Sequence, residues 1–146
     1  MTETLHFKIG LAGTYWAKQP EYSILINDTV YNAGTVTEAS GETFYIEFDA
    51  EVTEGPCALK IRLENKDWTD TVQNEDKTAI LKDMLLNIRS VEIDDINLGN
   101  LIYTKTQFVG DDPARPVLTQ CQDLGWNGAW ILTFESPFYI WLLENI

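Results

Sequence analysis

The stretch 57–65, CALKIRLEN, sets Leu59, Ile61 and Leu63 on one parity and Lys60 and Arg62 on the other. Successive side chains of an extended chain point to opposite faces, so this segment buries one face and wets the other as a β-strand. The same period of two runs outward from it. LHFKIGLAG (5–13) alternates Leu5, Phe7, Ile9 and Leu11, and TFYIEFDAEV (43–52) puts Phe44, Ile46 and Phe48 on one face. YSILIN (22–27) passes into DTVYNAGTV (28–36) through Asn27-Asp28, two residues that tolerate positive φ, which predicts a hairpin turn. MLLNIRSVEIDDINLGNLIYT (84–104) predicts a second hairpin, turning near Asp94-Asp95. Its parity shifts between Met84, Leu86, Ile88 and Val91, Ile93. Either a β-bulge near Arg89-Ser90 or a strand buried on both faces accounts for that.

Beyond Tyr103 the pattern loosens. QFVGDDPARPVLTQCQDLGWNGAW (107–130) holds two Pro and three Gly, and predicts long loops with short extended pieces. WILTF (130–134) is apolar again. FYIWLLEN (138–145) is too short for an independent helix and reads as a closing strand. No sustained helical period, internal repeat or low-complexity linker is present. About eight antiparallel strands joined by turns predict an all-β sandwich or jelly roll, as one domain over 1–146.

Composition narrows the function classes. With 146 residues, 45% hydrophobic and 12% aromatic, the chain can bury a core without a metal or disulfide. Ten basic against 23 acidic residues give a net charge of −13, which repels nucleic-acid phosphates and anionic lipid heads. MTETLHFKIG has no basic region leading into an apolar run, so no secretory signal is expected. No segment reaches the ~18 apolar residues of a membrane span, and a soluble chain is expected. Cys57 and Cys121 lack C-x-x-C spacing and lie far in sequence from the lone His6, which argues against zinc. Two buried free thiols are expected.

Catalytic signatures are missing. There is no G-x-S-x-G, H-E-x-x-H or P-loop. His6, between Leu5 and Phe7, is expected to face solvent without a positioned partner. A glycosidase would need two carboxyls facing each other across a cleft, and a chain this short leaves little scaffold for one.

The most polar stretch is ENKDWTDTVQNEDKT (64–78), which directly follows the strand quoted first and carries five acidic residues around Trp68. Glu64, Asn65, Asp67, Asp70, Asn74, Glu75 and Asp76, with Asp83 beyond, offer the oxygens that calcium takes, but not at EF-hand spacing. Lys66 and Lys77 offset part of the charge. Trp68 is a large aromatic in a polar loop, which calls for packing or a ligand. Tyr15 and Trp16 in GTYWAKQPEY (13–22) and Trp126 in LGWNGAW (124–130) also sit beside glycines in expected loops. Such rings stack on the apolar faces of sugars. Trp130 and Trp141 lie in apolar runs and read as core.

ALKIRLENKDW (58–68) followed by KDMLLNIRSVEID (82–94) resembles the calcium-dependent, xylan-binding type of carbohydrate-binding module. Those jelly rolls carry a strand ending in Asn-Asp, a variable loop, and Asp-Arg-Asn-Leu opening a hairpin. PEYSILINDTVYNAGTV (20–36) is similar to another hairpin of that family. Asn65 matches the family's Asn, Lys66 stands where its Asp would be, Asp83 matches the second Asp, Met84 and Leu85 replace Arg-Asn, and Leu86 matches Leu. The resemblance implies a non-catalytic glycan binder with calcium as cofactor, coordinating sugar hydroxyls directly. Asn65, Asp67, Asp70 and Asp83 would form the metal set, and Tyr15, Trp16, Trp68 and Trp126 the sugar contacts. A second resemblance spans the chain: segments in the style of GTYW…PEY, KDMLLNI and LGWNG…PFY…WLLEN look like proteins of tailed phages of marine cyanobacteria. It implies a virion-borne protein. The alternative function is a phage structural or assembly protein, a capsid decoration or tail-associated subunit. There the aromatics and FYIWLLENI would meet a virion or host-surface protein, or further copies in an oligomer.

Overall fold

The structure, a computed structural model, describes residues 1–146. In chain order it forms β1 (Thr2–Thr14), β2 (Glu21–Ile26), β3 (Thr29–Thr35), β4 (Phe44–Thr53), β5 (Gly55–Leu63) and a 3-10 turn (Trp68–Asp70). β6 (Val72–Gln73), β7 (Ile80–Lys82), β8 (Leu85–Ile93), β9 (Ile96–Asn97) and α1 (Leu101–Thr104) follow. β10 (Thr106–Gly110), β11 (Leu118–Thr119), β12 (Asp123–Leu124), β13 (Gly128–Ser136) and α2 (Phe138–Asn145) complete it. Eight of the strands have five or more residues. One sheet runs β12-β8-β1-β4, with β9 also on β8, and the other runs β11-β10-β13-β5-β2-β3. Every pairing is antiparallel. The architecture is a β-sandwich.

Register turns the period-two sequence into a core. Leu5, Phe7 and Ile9 of β1 lie opposite Ala50, Phe48 and Ile46 of β4. Leu59 and Ile61 of β5 lie opposite Leu132 and Trp130 of β13, and Ile24 of β2 opposite Ile61. Because pleat parity is preserved across each pair, every inward row meets an inward row. Leu5, Phe7, Ile9, Leu59, Ile61, Trp130 and Leu132 are fully buried between the sheets.

Both predicted turns are present. Asn27 and Asp28 have φ of 49° and 68°, and Asp94 and Asp95 have 51° and 65°, the left-handed pair of a tight hairpin. The parity shift in β8 is a bulge. Gly10 faces Ser90 while Leu11 faces Ile88, leaving Arg89 as the extra residue, so Ile88 and Val91 both point inward.

Two expectations are corrected. The return strand after Asp95 ends at Asn97, and Leu101–Thr104 is one helical turn. FYIWLLEN is the helix α2, and no closing strand exists there. Isolated, eight residues would not hold a helix; here Phe138, Trp141 and Leu142 bury one side of it. Phe134 of β13 packs edge-on against Phe138 and Trp141. At the other end of the chain, the Glu3 carboxylate accepts hydrogen bonds from the Ser136 hydroxyl and, at 2.8 Å, from the Phe138 N–H, so an anion caps the helix start. Cys57 is buried and Cys121 only half-buried, and both are free thiols. No helix is long and apolar enough to cross a membrane.

Candidate functional site

The polar stretch after β5 is ordered by side chains from four directions. Asn65 reaches back to β2: its Oδ1 accepts the Glu21 N–H at 2.8 Å and its Nδ2 donates to Gln19 O at 3.0 Å. Asn127, at the entry to β13, clamps Lys66 from both sides. Its Oδ1 accepts the Lys66 N–H at 2.7 Å and its Nδ2 donates to Lys66 O at 3.0 Å. The clamp continues the β5–β13 ladder, in which Leu63 faces Gly128. Gly128 is required there, since a Cβ would stand 2.4 Å from Val109 O and 2.7 Å from the Gly110 Cα.

The 3-10 turn is held from its own ends and by Trp16. Asp70 is 4% exposed, and its carboxylate accepts the Asp67 N–H at 2.7 Å and pairs with Lys18 at 3.1 Å. The Trp16 indole N–H donates to Asp70 O at 2.9 Å, and Lys82 lies 4.8 Å from the Trp16 ring centre. This anchoring pushes Trp68 outward: its side chain is 88% exposed. The rest of the polar stretch folds as the small β6–β7 hairpin, where the Asn74 carboxamide accepts the N–H groups of Thr78 and Ala79.

Between this hairpin and the loops around β13 opens a cleft of ≈ 730 Å³. Trp68 and Ile80 stand at its lip, and Lys66, Thr71 and Asp83 line it from the same loop. Asp111, Asp112 and Arg115 come from the segment after β10, and Trp126 and Asn127 from the segment before β13. The Trp126 ring stacks on Phe108 at 5.6 Å, and the Arg115 guanidinium lies 4.6 Å from its centre. Its rings are thus engaged by protein, while its indole N–H is buried without an acceptor. A Cβ on Gly110 would stand 2.6 Å from that nitrogen, so protein encloses it.

Lys66 and Asp83 form the charged centre. Their Nζ–Oδ1 distance is 2.6 Å, with side chains 8% and 19% exposed. The same Asp83 oxygen accepts the Thr71 hydroxyl at 2.7 Å and the Met84 N–H at 2.9 Å. Burial alone would raise the Asp83 pKa; the hydrogen bonds from Lys66 and Thr71 outweigh it and hold the carboxyl below the usual carboxylate range.

Of the eight residues singled out from sequence, Trp68, Trp126, Asp67 and Asp83 line the cleft. Trp16 and Asp70 support the turn beneath Trp68. Asn65 is spent on β2, and Tyr15 points away, its hydroxyl donating to Glu38 O at 2.6 Å. Cleft residues that went unread in the sequence include Thr71, Gln73, Asp111, Asp112, Arg115 and Asn127. The turn formers GDDPAR (110–115) and the Asn beside Trp126 were the available signals. His6 lies on the outer face of the other sheet and, against expectation, has partners there: its ring nitrogens hydrogen-bond to the Asp49 and Glu47 carboxylates, which accept from the protonated ring and so raise its pKa.

A calcium ion takes six to eight oxygens at about 2.3–2.6 Å. Asp83 gives its Oδ1 to Lys66, Thr71 and Met84, Asp70 gives its carboxylate to Lys18 and Asp67 N–H, and Asn65 gives its oxygen to Glu21. No three acidic, His or Cys side chains converge as metal ligands. Asp67 gives an oxygen to Lys18 at 3.1 Å, so as placed the four residues are engaged by protein partners and do not converge as a calcium set.

The β-sandwich is similar to those of two solved carbohydrate-binding-module structures. In particular, vCBM60 in complex with galactobiose matches it with a TM-score of 0.54 at 12% identity, over 89% of this chain and 97% of that one. The selenomethionine form of vCBM60 gives 0.53 at 10% identity, over 88% and 89%. That structure is described with a circular permutation linking two families of calcium-dependent carbohydrate-binding modules. At such identities the likeness establishes the fold. No protein-family model and no curated protein sequence matches the chain.

Proposed function

We propose that the cleft is a non-catalytic binding site for a neutral glycan. The observation that carries this reading is Trp68, 88% exposed at the lip of a cleft walled by hydrogen-bonding groups. A sugar ring presents an apolar face to an aromatic and hydroxyls that both donate and accept. Lys66 and Arg115 supply donors, and Asp67, Gln73 and Asp112 supply acceptors. Neutral ligands are favoured over anionic ones. Asp67, Asp83, Asp111 and Asp112 outnumber Lys66 and Arg115 in the lining, and the chain carries −13 overall. The galactobiose bound by a structural neighbour is a neutral sugar of this kind. Asp83, the most enclosed carboxyl of the lining, is held low in pKa, the opposite of what the general acid of a glycosidase needs.

Trp68→Ala is expected to weaken binding to neutral oligosaccharides on a glycan array by roughly thirty-fold, the effect of losing one central aromatic anchor. Its melting temperature should stay unchanged, because the side chain is exposed. Equal binding by the variant and the wild type would remove the cleft from the account.

A second reading, a virion-borne phage structural or assembly subunit, is favoured by one observation. Tyr139, Ile140, Leu143 and Ile146 leave an exposed apolar side on and beside α2. That reading requires self-association or capture on a particle, and a glycan-binding monomer by gel filtration argues against it.

A further inference from the structure

We infer that the Lys66 ammonium is the built-in cation of this cleft, so that glycan recognition here runs without calcium. The inference rests on the glycan reading for its ligand, but its metal half stands on the cleft alone. Lys66 and Asp83 stand 17 residues apart in the sequence and both line the cleft. The fold brings the two to 2.6 Å. A cation entering at Asp83 must therefore first expel an ammonium that already neutralises it. Three observations oppose that expulsion. The Lys66 side chain is 92% buried, being 8% exposed. Its backbone is clamped at N–H and C=O by the Asn127 carboxamide. The Asp83 oxygen it meets is also saturated by Thr71 and Met84.

The ammonium has chemistry left to offer. Of its three N–H groups, one donates to Asp83. The other two have no protein acceptor, and Lys66 lines the cleft. A calcium ion would draw sugar hydroxyls as a Lewis acid. Lys66 draws the same hydroxyl oxygens by donating charged hydrogen bonds, which are stronger than neutral ones.

The test is a calorimetric and thermal titration of the wild-type chain with calcium chloride and with EDTA. It is paired with binding of the best neutral oligosaccharide from the array to wild type and Lys66→Met. Expected are no calcium heat, no shift of melting temperature with millimolar calcium or with chelator, and glycan affinity indifferent to EDTA. Lys66→Met should bind that glycan roughly ten-fold or more weakly, the loss of one charge-assisted hydrogen bond. Three results would overturn the inference: a calcium-dependent rise in wild-type melting temperature, loss of glycan binding in EDTA, or full affinity in Lys66→Met. If no neutral glycan binds at all, the glycan reading fails, and the wild-type calcium titration still decides whether the ammonium stands in for a metal.

Discussion

Trp130→Ala lowers the unfolding free energy by about 4 kcal/mol in urea denaturation, the range for deleting a fully buried aromatic. Trp130 is fully buried, faces Ile61 across the β5–β13 ladder and Phe108 across β10–β13. Its removal leaves a cavity at the centre of the larger sheet's inward face. The indole N–H also donates to Cys121 O at 3.0 Å, fastening the loop between β11 and β12 to the core. The variant therefore loses a hydrogen bond with the packing, and the partner carbonyl must find water. The same experiment on Trp68→Ala gives no such loss. The two tryptophans separate core from lip, although composition counts them alike.

Asp83→Asn is expected to cost about 3 kcal/mol at neutral pH, because it leaves the enclosed Lys66 ammonium without its counter-charge. Asparagine keeps the shape and an acceptor for Thr71 and Met84, so the cost is mainly electrostatic. The pH dependence fixes its origin. The Asp83 pKa is depressed in the folded chain, so its stabilisation is complete above the unfolded carboxyl pKa and disappears as pH falls through the folded value. Wild type and Asp83→Asn should thus converge in acid, where wild-type Asp83 is protonated, with the gap widening as pH rises and reaching its full size by about pH 4. A gap that stays constant across that range would assign the cost to packing instead.

Most of the sandwich was legible because strand pairing preserves parity. The bulge at Arg89 could be read from the shifted parity of Val91 and Ile93, and both hairpins from Asn-Asp and Asp-Asp pairs. α2 was not legible, since six apolar residues followed by Glu-Asn carry no period that separates strand from helix. Docking of Phe138 and Trp141 on Phe134, with the Glu3 cap 135 residues away in sequence, decides it. In the site, Trp68 was readable as an aromatic out of place in a polar loop. Arg115 and Asn127 were not, because only the β10–β13 register carries them to the cleft wall opposite. Lys66 was readable only as a missing carboxylate. Its role as the ion paired with Asp83 depends on a contact across 17 residues that no spacing rule encodes.

The central claim is that neutral glycan enters the cleft between Trp68 and Trp126, over the Lys66–Asp83 pair. The most direct measurement is a backbone and indole amide chemical-shift map recorded while a neutral oligosaccharide is added in the presence of EDTA. The account predicts shifts at the amides of Lys66, Trp68 and Thr71 and at the indole N–H of Trp68 and Trp126, unchanged when calcium replaces the chelator. Shifts confined to α2, shifts that need calcium, or none with any neutral glycan would contradict it.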